Sequence, residues 1–403
     1  MESSFSMILE ICLNRRIRCE DREKELIEEL EGIINKLSIC NGVKYSNDLP
    51  ENIRYIRFYD PTIDENEIII KEELLNSLLN DKRRRFFTLK SMEPIQEPLC
   101  LDEEKDTAAS CIGFTQTDLP HSSLDNIWDN LIFPKCIKKK IIGYTTTLLQ
   151  FSKLSISDDK ISTNRFILFH GPPGTGKTSL AKGFAQKMSI RLNSFYQSSI
   201  LVEINCHSLF SKWFSQSAKL VSLLFDKILN TYAVNKNMMV FVLIDEIESI
   251  GLSREKSMGK NDPGDVVRVL NSFLTQLDKA KKYPNVMFIG TSNMNHIMDE
   301  AISDRIDLDI FIGYPCLEAT YTILKGIIEE LMEKKVLVSE KYLPIMNVND
   351  IENFNLTSIN LYEKARNFYT NKTSARRLRK VALIPFAETF SEKMDINEFI
   401  RLI

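Results

Sequence analysis

The chain has 403 residues, 43% of them hydrophobic, and a formal net charge of −3. This length allows two or three domains with hydrophobic cores, and the slightly acidic balance argues for neither a nucleic-acid nor a membrane partner. No apolar run reaches the roughly 18 residues of a membrane helix. The N-terminus lacks a signal-peptide layout, and the 8 cysteines contain no CxxC pair, so we expect an intracellular protein with reduced thiols.

Residues 1–115 show mixed patterns and carry no chemical motif. EKELIEELEGIINKLS predicts a helix, NIRYIRFY predicts a strand, and the apolar EIIIKEELLNSLL follows. The basic run Lys82–Arg85 precedes two phenylalanines; it is compatible with a nucleic-acid patch, a nuclear-import signal or, the favoured interpretation, a solvated helix end. The polar stretch Glu103–Ser110 and the following TQTDLPHSS predict a linker.

Short apolar runs alternate with helical patterns over residues 121–315. The runs are RFILF, SILVEIN, MMVFVLID, NVMFIGTSN and DLDIFIG. Five such runs with helices between them predict a parallel sheet covered on both faces. Residues 316–403 have a helical pattern, as in EATYTILKGIIEELMEKK.

A complete GxxxxGK[ST] motif follows the first of these runs and precedes a helical pattern. Its glycines allow the backbone to curl around phosphate oxygens, Lys177 can reach the β- and γ-phosphates, and the Thr178 hydroxyl can ligate Mg²⁺. The motif therefore predicts a nucleoside triphosphate site with ATP and Mg²⁺ as cofactors. The residues predicted to bind the nucleotide are Gly171, Pro172, Pro173, Gly174, Thr175, Gly176, Lys177, Thr178, Ser179 and Asp245.

Two acidic residues end the strand pattern MMVFVLID. At a strand end beside a phosphate loop, Asp245 can hold Mg²⁺ together with Thr178, and Glu246 can polarise the attacking water. Solvated loop charges are the alternative, which the preceding apolar run and the upstream phosphate loop make less favourable.

Three further polar residues are catalytic candidates. Asn293 follows another apolar run, where its amide could bind the γ-phosphate or the water, although asparagine is also a common turn residue. Arg305 and Arg376 could stabilise charge on the transferred phosphoryl group, whereas most surface arginines have no such role.

Together, GPPGTGKT, LIDE, TSN and the two arginines resemble the AAA+ ATPase superfamily. The stretches FHGPPGTGKTSLAKGFAQKMSIRL, EINCHSLFSKWFSQSAKLV, VFVLIDEIESI, DVVRVLNSFLTQLD and DRIDLDIFIG are, more narrowly, similar to the pachytene checkpoint protein two family of HORMA-domain remodelling ATPases. The resemblance implies a five-stranded AAA+ module at 121–315, a helical lid at 316–403 and a small α+β domain at 1–115 that recognises the substrate or an adaptor.

The resemblance also implies a homo-hexameric ring. Arg305 becomes an arginine finger that reaches the nucleotide of a neighbouring subunit, and Arg376 becomes a lid sensor for the nucleotide of its own subunit. The family has Ser-Gly-Arg where this chain has Ser-Ala-Arg, with Ala375 in the middle, and Arg377 leaves the register open. Asn205 is implied to couple substrate engagement to hydrolysis.

The segment SKWFSQS is implied to be the first pore loop, in which Lys212, Trp213 and Phe214 grip an extended polypeptide. The two aromatic residues could instead form a small hydrophobic cluster that fixes the loop. Met258–Asp265 is implied to be the second pore loop, with a plain connection as the alternative.

By resemblance, we expect a remodeller that opens closed HORMA-domain proteins in the nucleus and cytoplasm, during meiosis and in the spindle checkpoint. We expect no direct membrane or nucleic-acid partner. Three alternatives stay open: a remodeller of another protein, a nucleotide-gated scaffold with little turnover, and a nucleic-acid motor.

Overall fold

The structure, a computed structural model, describes residues 7–15, 20–34, 40–60, 78, 83–99, 111–154, 160–206, 217–251, 263–293, 299–338, 345–346 and 355–403. Within those ranges every helix is too short or too polar to cross a lipid bilayer. The chain divides into two compact units. The first comprises residues 1–130, 135–169 and 178–310, and the second comprises residues 131–134, 170–177 and 311–403. The domain limits at 115, 121 and 315 stay predictions.

A four-stranded sheet, here called the N-terminal sheet, begins the first unit. Its elements are β1 (Ile8–Leu13), α1 (Glu20–Ile34), β2 (Lys44–Tyr45), β3 (Ile53–Tyr59) and β4 (Arg84–Thr88). The strand order is β2-β3-β1-β4, with β3 antiparallel and β4 parallel to β1. Because side chains alternate along a strand, Leu9 and Ile11 enter a hydrophobic cluster with Leu26 and Leu30 of α1, whereas Glu10 points to the other face.

The central sheet has seven strands. They are β5 (Ile95–Leu99), β6 (Cys111–Leu119), β7 (Phe166–His170), β8 (Ser198–Asn205), β9 (Met238–Asp245), β10 (Val286–Ser292) and β11 (Leu308–Phe311). Their order is β11-β7-β10-β9-β8-β6-β5, and β8, β9 and β10 run parallel in register. All five strands expected from apolar runs are present, and the predicted α/β fold class is confirmed.

Helices follow or precede these strands in the chain. They are α2 (Lys135–Lys153), α3 (Lys177–Arg191), α4 (Ser217–Ile228), α5 (Glu248–Gly251), α6 (Pro263–Ala280) and α7 (Glu300–Ser303). Residues 239–244 of β9 are all buried, as expected for a strand covered on both faces. Phe225 of α4 and Phe273 of α6 pack against this sheet in one hydrophobic cluster.

The expected linker TQTDLPHSS is wrong for residues 115–119, which belong to β6. These residues pair antiparallel with β8, and β5 pairs antiparallel with β6 at the sheet edge. Strands near an edge that face solvent on one side keep polar residues, so they lack the solid apolar run of a central strand. Of EIIIKEELLNSLL, the structure describes only Leu78, which is buried; the stretch 103–110 lies outside the described residues.

The favoured interpretation of the basic run as a solvated helix end is also wrong for Arg84 and Arg85, and Lys82 lies outside the described residues. Arg84 and Arg85 begin β4, and Arg85 is buried with its Nε donating to the carbonyl oxygen of Arg191 at 3.0 Å. A basic side chain with a buried backbone acceptor is a packing residue, and sequence alone does not reveal that acceptor.

Helices dominate the described residues of the stretch 311–403 in the second unit. They are α8 (Leu317–Glu333), α9 (Leu356–Thr370), α10 (Ala375–Val381), α11 (Leu383–Thr389) and α12 (Ile396–Leu402), with a short parallel pair of β12 (Leu337–Val338) and β13 (Met394–Asp395). Tyr321, Leu361 and Phe399 belong to their shared hydrophobic cluster. Asn355 and Ser374 cap α9 and α10, since each side chain accepts from a first-turn amide. The helical pattern predicted for this region is confirmed.

Candidate active site

The phosphate loop, residues 171–176, lies in the second unit with Lys177. Its three glycines have φ angles of +142°, +75° and +100°, a region that side-chain-bearing residues rarely adopt. A Cβ atom on Gly171 would lie 2.2 Å from the carbonyl oxygen of Ile312, so only glycine fits there. The Lys177 Nζ donates to the carbonyl oxygens of Gly171 at 2.9 Å and Pro172 at 2.7 Å. The curled backbone and the ammonium group of Lys177 suit a bound phosphate.

The remaining predicted loop residues differ in exposure. Thr175 is buried, and its hydroxyl donates to the carbonyl oxygen of Pro172 at 3.0 Å. Pro173 and Ser179 are exposed. Thr175 therefore braces the loop, whereas Ser179 leaves its hydroxyl on the outside of the first turn of α3.

The first turn of α10 contacts the phosphate loop within the second unit. The backbone N–H of Arg376 donates to the carbonyl oxygen of Gly174 at 3.2 Å. A Cβ atom on Gly174 would lie 3.1 Å from both Ser374 Oγ and Arg376 Cβ. The Arg376 side chain is exposed. The structure thus places the backbone of Arg376 against the phosphate loop. The same close approach explains why position 174 is a glycine.

Asp245 accepts hydrogen bonds from two threonine hydroxyls within the first unit. Thr178 donates to Asp245 Oδ1 at 2.9 Å, and the Thr291 hydroxyl donates to the same oxygen. Thr291 also accepts the backbone N–H of Glu246 at 3.2 Å. The start of α3 and the ends of β9 and β10 are therefore held together at one carboxylate.

Glu246 has an exposed side chain and a φ angle of +56°. A left-handed conformation is uncommon for a residue with a side chain and costs about 1–3 kcal/mol. The hydrogen bond to Thr291 and the burial of the next residue, Ile247, hold it in place. Strain of this kind concentrates at functional sites, and here it points a carboxylate outward beside Asp245.

Asn293 and Glu248 meet next to this carboxylate pair. The backbone N–H of Asn293 donates to Glu248 Oε1 at 3.1 Å, and the Asn293 side chain is exposed. The sequence reasoning missed both Thr291 and Glu248. Thr291 could have been found because it lies in the same strand-end stretch, TSN, as Asn293; nothing in the sequence singles out Glu248.

Arg305 is held by its own chain in the first unit. Its Nε and Nη2 donate to the two carboxylate oxygens of Asp278 at 3.2 and 2.8 Å, and Nη1 donates to the carbonyl oxygen of Ala301 at 2.9 Å. The hydrogen bond from Arg305 lowers the pKa of Asp278. With 25% of its side chain exposed, Arg305 is oriented by a two-point contact, and Asp278 is a further residue that sequence reasoning missed.

Cys206 is a buried thiol directly after the end of β8. Burial raises its pKa, and the carboxylates of Asp245, Glu248 and Glu246 raise it further. The thiol is therefore held in its protonated form beside the acidic residues.

Thr178 and Asp245 offer two oxygen donors for a cation. Hard oxygen ligands suit Mg²⁺, which usually keeps several waters and binds through one or two protein groups plus phosphate oxygens. Among the described residues no group of three or more His, Cys, Asp and Glu side chains could hold a metal alone. Thr178 and Asp245 therefore suit a Mg²⁺ ion whose other ligands are water and nucleotide phosphates, rather than an ion bound by protein ligands alone.

Several predicted residues cannot be placed. Lys212, Trp213 and Phe214 lie outside the described residues, as does most of Met258–Asp265, whose last three residues begin α6. Asn205 is the last residue of β8. The proposed pore loops and the proposed role of Asn205 stay predictions.

Comparison with known proteins fits this geometry. The model of the "ATPase family associated with various cellular activities (AAA)" matches residues 167–314, which include the phosphate loop and both strand-end carboxylates. The protein is thus a nucleotide-binding AAA ATPase.

Pachytene checkpoint protein 2 homologues are similar over most of the chain. The Danio rerio protein is 40% identical, covering 75% of this chain and 70% of its own length, and the Arabidopsis thaliana protein is 36% identical, covering 84% and 71%. The structure of C. elegans PCH-2 matches with a TM-score of 0.80 and 29% identity over 98% of this chain and 97% of that one. The chain belongs to the pachytene checkpoint protein 2 family.

A more distant match shows the fold alone. It is a chain of an E. coli MS115-1 HORMA:CdnC:Trip13 complex, with a TM-score of 0.52 and 13% identity over 71% of this chain and 93% of that one.

Proposed function

We propose that the protein uses ATP hydrolysis to remodel HORMA-domain proteins. Family membership carries this proposal, because pachytene checkpoint protein 2 homologues are similar to 75% and 84% of this chain. The distant structural relative was solved in a complex that contains a HORMA protein and a Trip13 chain, which supports the choice of substrate class.

The residues around Asp245 supply the proposed chemistry. The phosphate loop and Lys177 bind the triphosphate, and Thr178 and Asp245 would hold Mg²⁺, which neutralises developing charge on the phosphates when bound. Glu246, directed outward by its left-handed backbone, accepts a proton from the attacking water. Asn293 orients the water or the γ-phosphate.

Two arginines complete the site in the proposed homo-hexamer. Arg305 acts on the nucleotide of the neighbouring subunit, and the contact with Asp278 sets the direction of its guanidinium group. Arg376 reaches the nucleotide of its own subunit from the start of α10, whose backbone already contacts Gly174. A site completed by a neighbour makes hydrolysis depend on ring assembly.

Lys212, Trp213 and Phe214 are proposed to grip a terminal segment of the HORMA protein and to convert its closed form to an open one. Residues 1–115 would select the substrate, with an adaptor where one is needed. We place this activity at meiotic chromosome axes and in the spindle checkpoint, in the nucleus and the cytoplasm.

The test measures the steady-state ATPase rate of the full chain with and without a HORMA-domain protein and its candidate adaptor. We expect stimulated turnover and closed-to-open conversion in the wild type, and neither in Glu246→Gln. Glu388→Gln, at an exposed position of α11, is the control and should turn over ATP like the wild type. Turnover without stimulation or conversion would exclude HORMA remodelling and favour another substrate; negligible turnover would favour a nucleotide-gated scaffold.

A further inference from the structure

Four charged side chains meet where the N-terminal sheet packs on α3. They are Glu10 of β1, Arg57 of β3, Lys187 of α3 and Asp129, and they are called the Glu10 cluster here. The Glu10 and Lys187 side chains are 0% exposed and that of Arg57 is 2% exposed. Glu10 Oε1 lies 2.7 Å from Lys187 Nζ, and Glu10 Oε2 accepts from Arg57 Nε at 2.7 Å. Arg57 also pairs with Asp129.

The Glu10 cluster contains two acidic and two basic groups, and the buried guanidinium of Arg191 also interacts with Glu10. Removing a charge from water costs several kcal/mol, and a buried pair recovers this cost only with good geometry. Burial works to raise the pKa of Glu10, but the charges of Arg57 and Lys187 lower it to about 2. Burial and the charge of Arg57 lower the pKa of Lys187 to about 7, against the attraction of Glu10 and Asp129. The cluster is stable only while β1, β3 and α3 stay packed so that Glu10, Arg57 and Lys187 keep their contacts.

Apolar and backbone contacts surround the cluster. Cys12, Tyr55 and Phe87 of the N-terminal sheet form a buried group with Ile190 of α3. The ammonium of Lys187 lies 3.8 Å from the ring centroid of Tyr59. One face of the sheet is therefore docked on the second half of α3, while its opposite face packs on α1.

The same helix begins at the candidate active site. Thr178, in the first turn of α3, donates to Asp245, and Lys187 lies nine residues further on, about 14 Å along the axis at 1.5 Å per residue. A helix of this length is stiff, so its two ends move together.

We propose that Lys187 is a positioning residue that joins the N-terminal sheet and α3 into one cooperative body, so that nucleotide bound at the start of α3 stabilises the sheet too. The N-terminal region then responds to the nucleotide without touching it. The inference uses the family's nucleotide binding and does not depend on the HORMA substrate.

Hydrogen exchange of the full chain, with and without Mg·ADP, tests the proposal. At about 100 times Kd, a bound ligand slows exchange through opening of its own cooperative body about 100-fold. In the wild type we expect the same slowing for amides of α3, β1 and β3. In Lys187→Met we expect α3 to keep it and β1 and β3 to lose it. Lys182→Met is the matched control, because Lys182 lies on the same helix and its ion pair with Glu203 is partly exposed, at 29% and 26% of the two side chains; it should behave like the wild type.

The double variant Glu10→Gln/Lys187→Met protects the test against misfolding, since it leaves Arg57 and Asp129 as a balanced pair. It should fold and should also lose the slowing in β1 and β3. Equal slowing of α3, β1 and β3 in the double variant, or no slowing of β1 and β3 in the wild type, would overturn the proposal.

Discussion

The two ends of α3 carry polar and charged groups under opposite conditions. At the start of the helix, Thr178 and Asp245 are partly exposed, and Glu246 beside them is exposed. At the other end, Glu10 and Lys187 are fully buried and paired. Exposed groups can exchange partners with a ligand and water, whereas buried groups cannot lose a partner without a large cost. Exposure therefore separates a site built for chemistry from an ion cluster built for assembly.

The largest effect on stability is expected from a substitution in the buried Glu10 cluster. Glu10→Gln leaves Arg57 and Lys187 close together without their shared carboxylate, which should lower the free energy of unfolding by about 3–5 kcal/mol. Urea unfolding measures this change. The double variant Glu10→Gln/Lys187→Met should recover most of the loss, and a single variant as stable as the wild type would contradict the assigned burial cost.

A substitution at the exposed start of α3 should affect ATP turnover rather than folding. Thr178→Ala removes a hydroxyl that donates to Asp245 and should lower kcat/KM for ATP on the order of 100-fold, about 2.7 kcal/mol of transition-state stabilisation. Its unfolding free energy without added nucleotide should fall by no more than about 1 kcal/mol. If stability fell more than activity, Thr178 would belong with the structural residues.

The phosphate loop gives a prediction about backbone shape. Gly171→Ala places a Cβ atom against the carbonyl oxygen of Ile312 and should cost about 1–3 kcal/mol of stability, together with weaker ADP binding in calorimetry. Gly326→Ala is the control, because position 326 lies within α8 with open space around it; there the same change should stabilise the protein by about 0.5–1 kcal/mol. Equal effects at both positions would contradict the steric argument.

The smallest effect is a pH dependence of the buried end. Lys187 faces Glu10, Arg57, Tyr59 and Asp129, and its pKa is lowered from 10.5 to about 7 on folding. Between these values the unfolded chain binds the proton and the folded chain does not, so the free energy of unfolding rises with pH. The slope is at most about 1.4 kcal/mol per pH unit.

The measurement compares urea unfolding of the wild type and Lys187→Met from about pH 7 to about pH 9. The wild type should gain stability relative to the variant as pH rises, and Lys182→Met should follow the wild type. A constant difference across this range would show that Lys187 titrates normally.

Sequence patterns identified the central strands and the phosphate loop because continuous apolar runs and fixed glycine spacing are local signals. They missed β5 and β6, whose polar residues belong to partly exposed strands. They also missed Thr291 and Asp278, because a hydroxyl or carboxylate becomes part of a site only through its contacts in the fold.

The Glu10 cluster shows that sequence patterns also do not reveal which distant charged residues pair. Glu10 is the single charge in the apolar strand ILEICL, and IRYIRFY holds an exposed Arg54 and a buried Arg57. A lone charge in an apolar strand indicates a buried partner, but the partner, Lys187, lies far away in sequence on α3. Only the tertiary structure pairs them.

Cys206 has a consequence for oxidative chemistry. Alkylating reagents and peroxide react with thiolates, and both its burial and the neighbouring carboxylates keep this thiol protonated. Among the described cysteines, Cys136 is exposed, so it is the one that a maleimide dye reaches first. A label on Cys136 of α2 would therefore leave the sulfur beside the candidate active site unmodified.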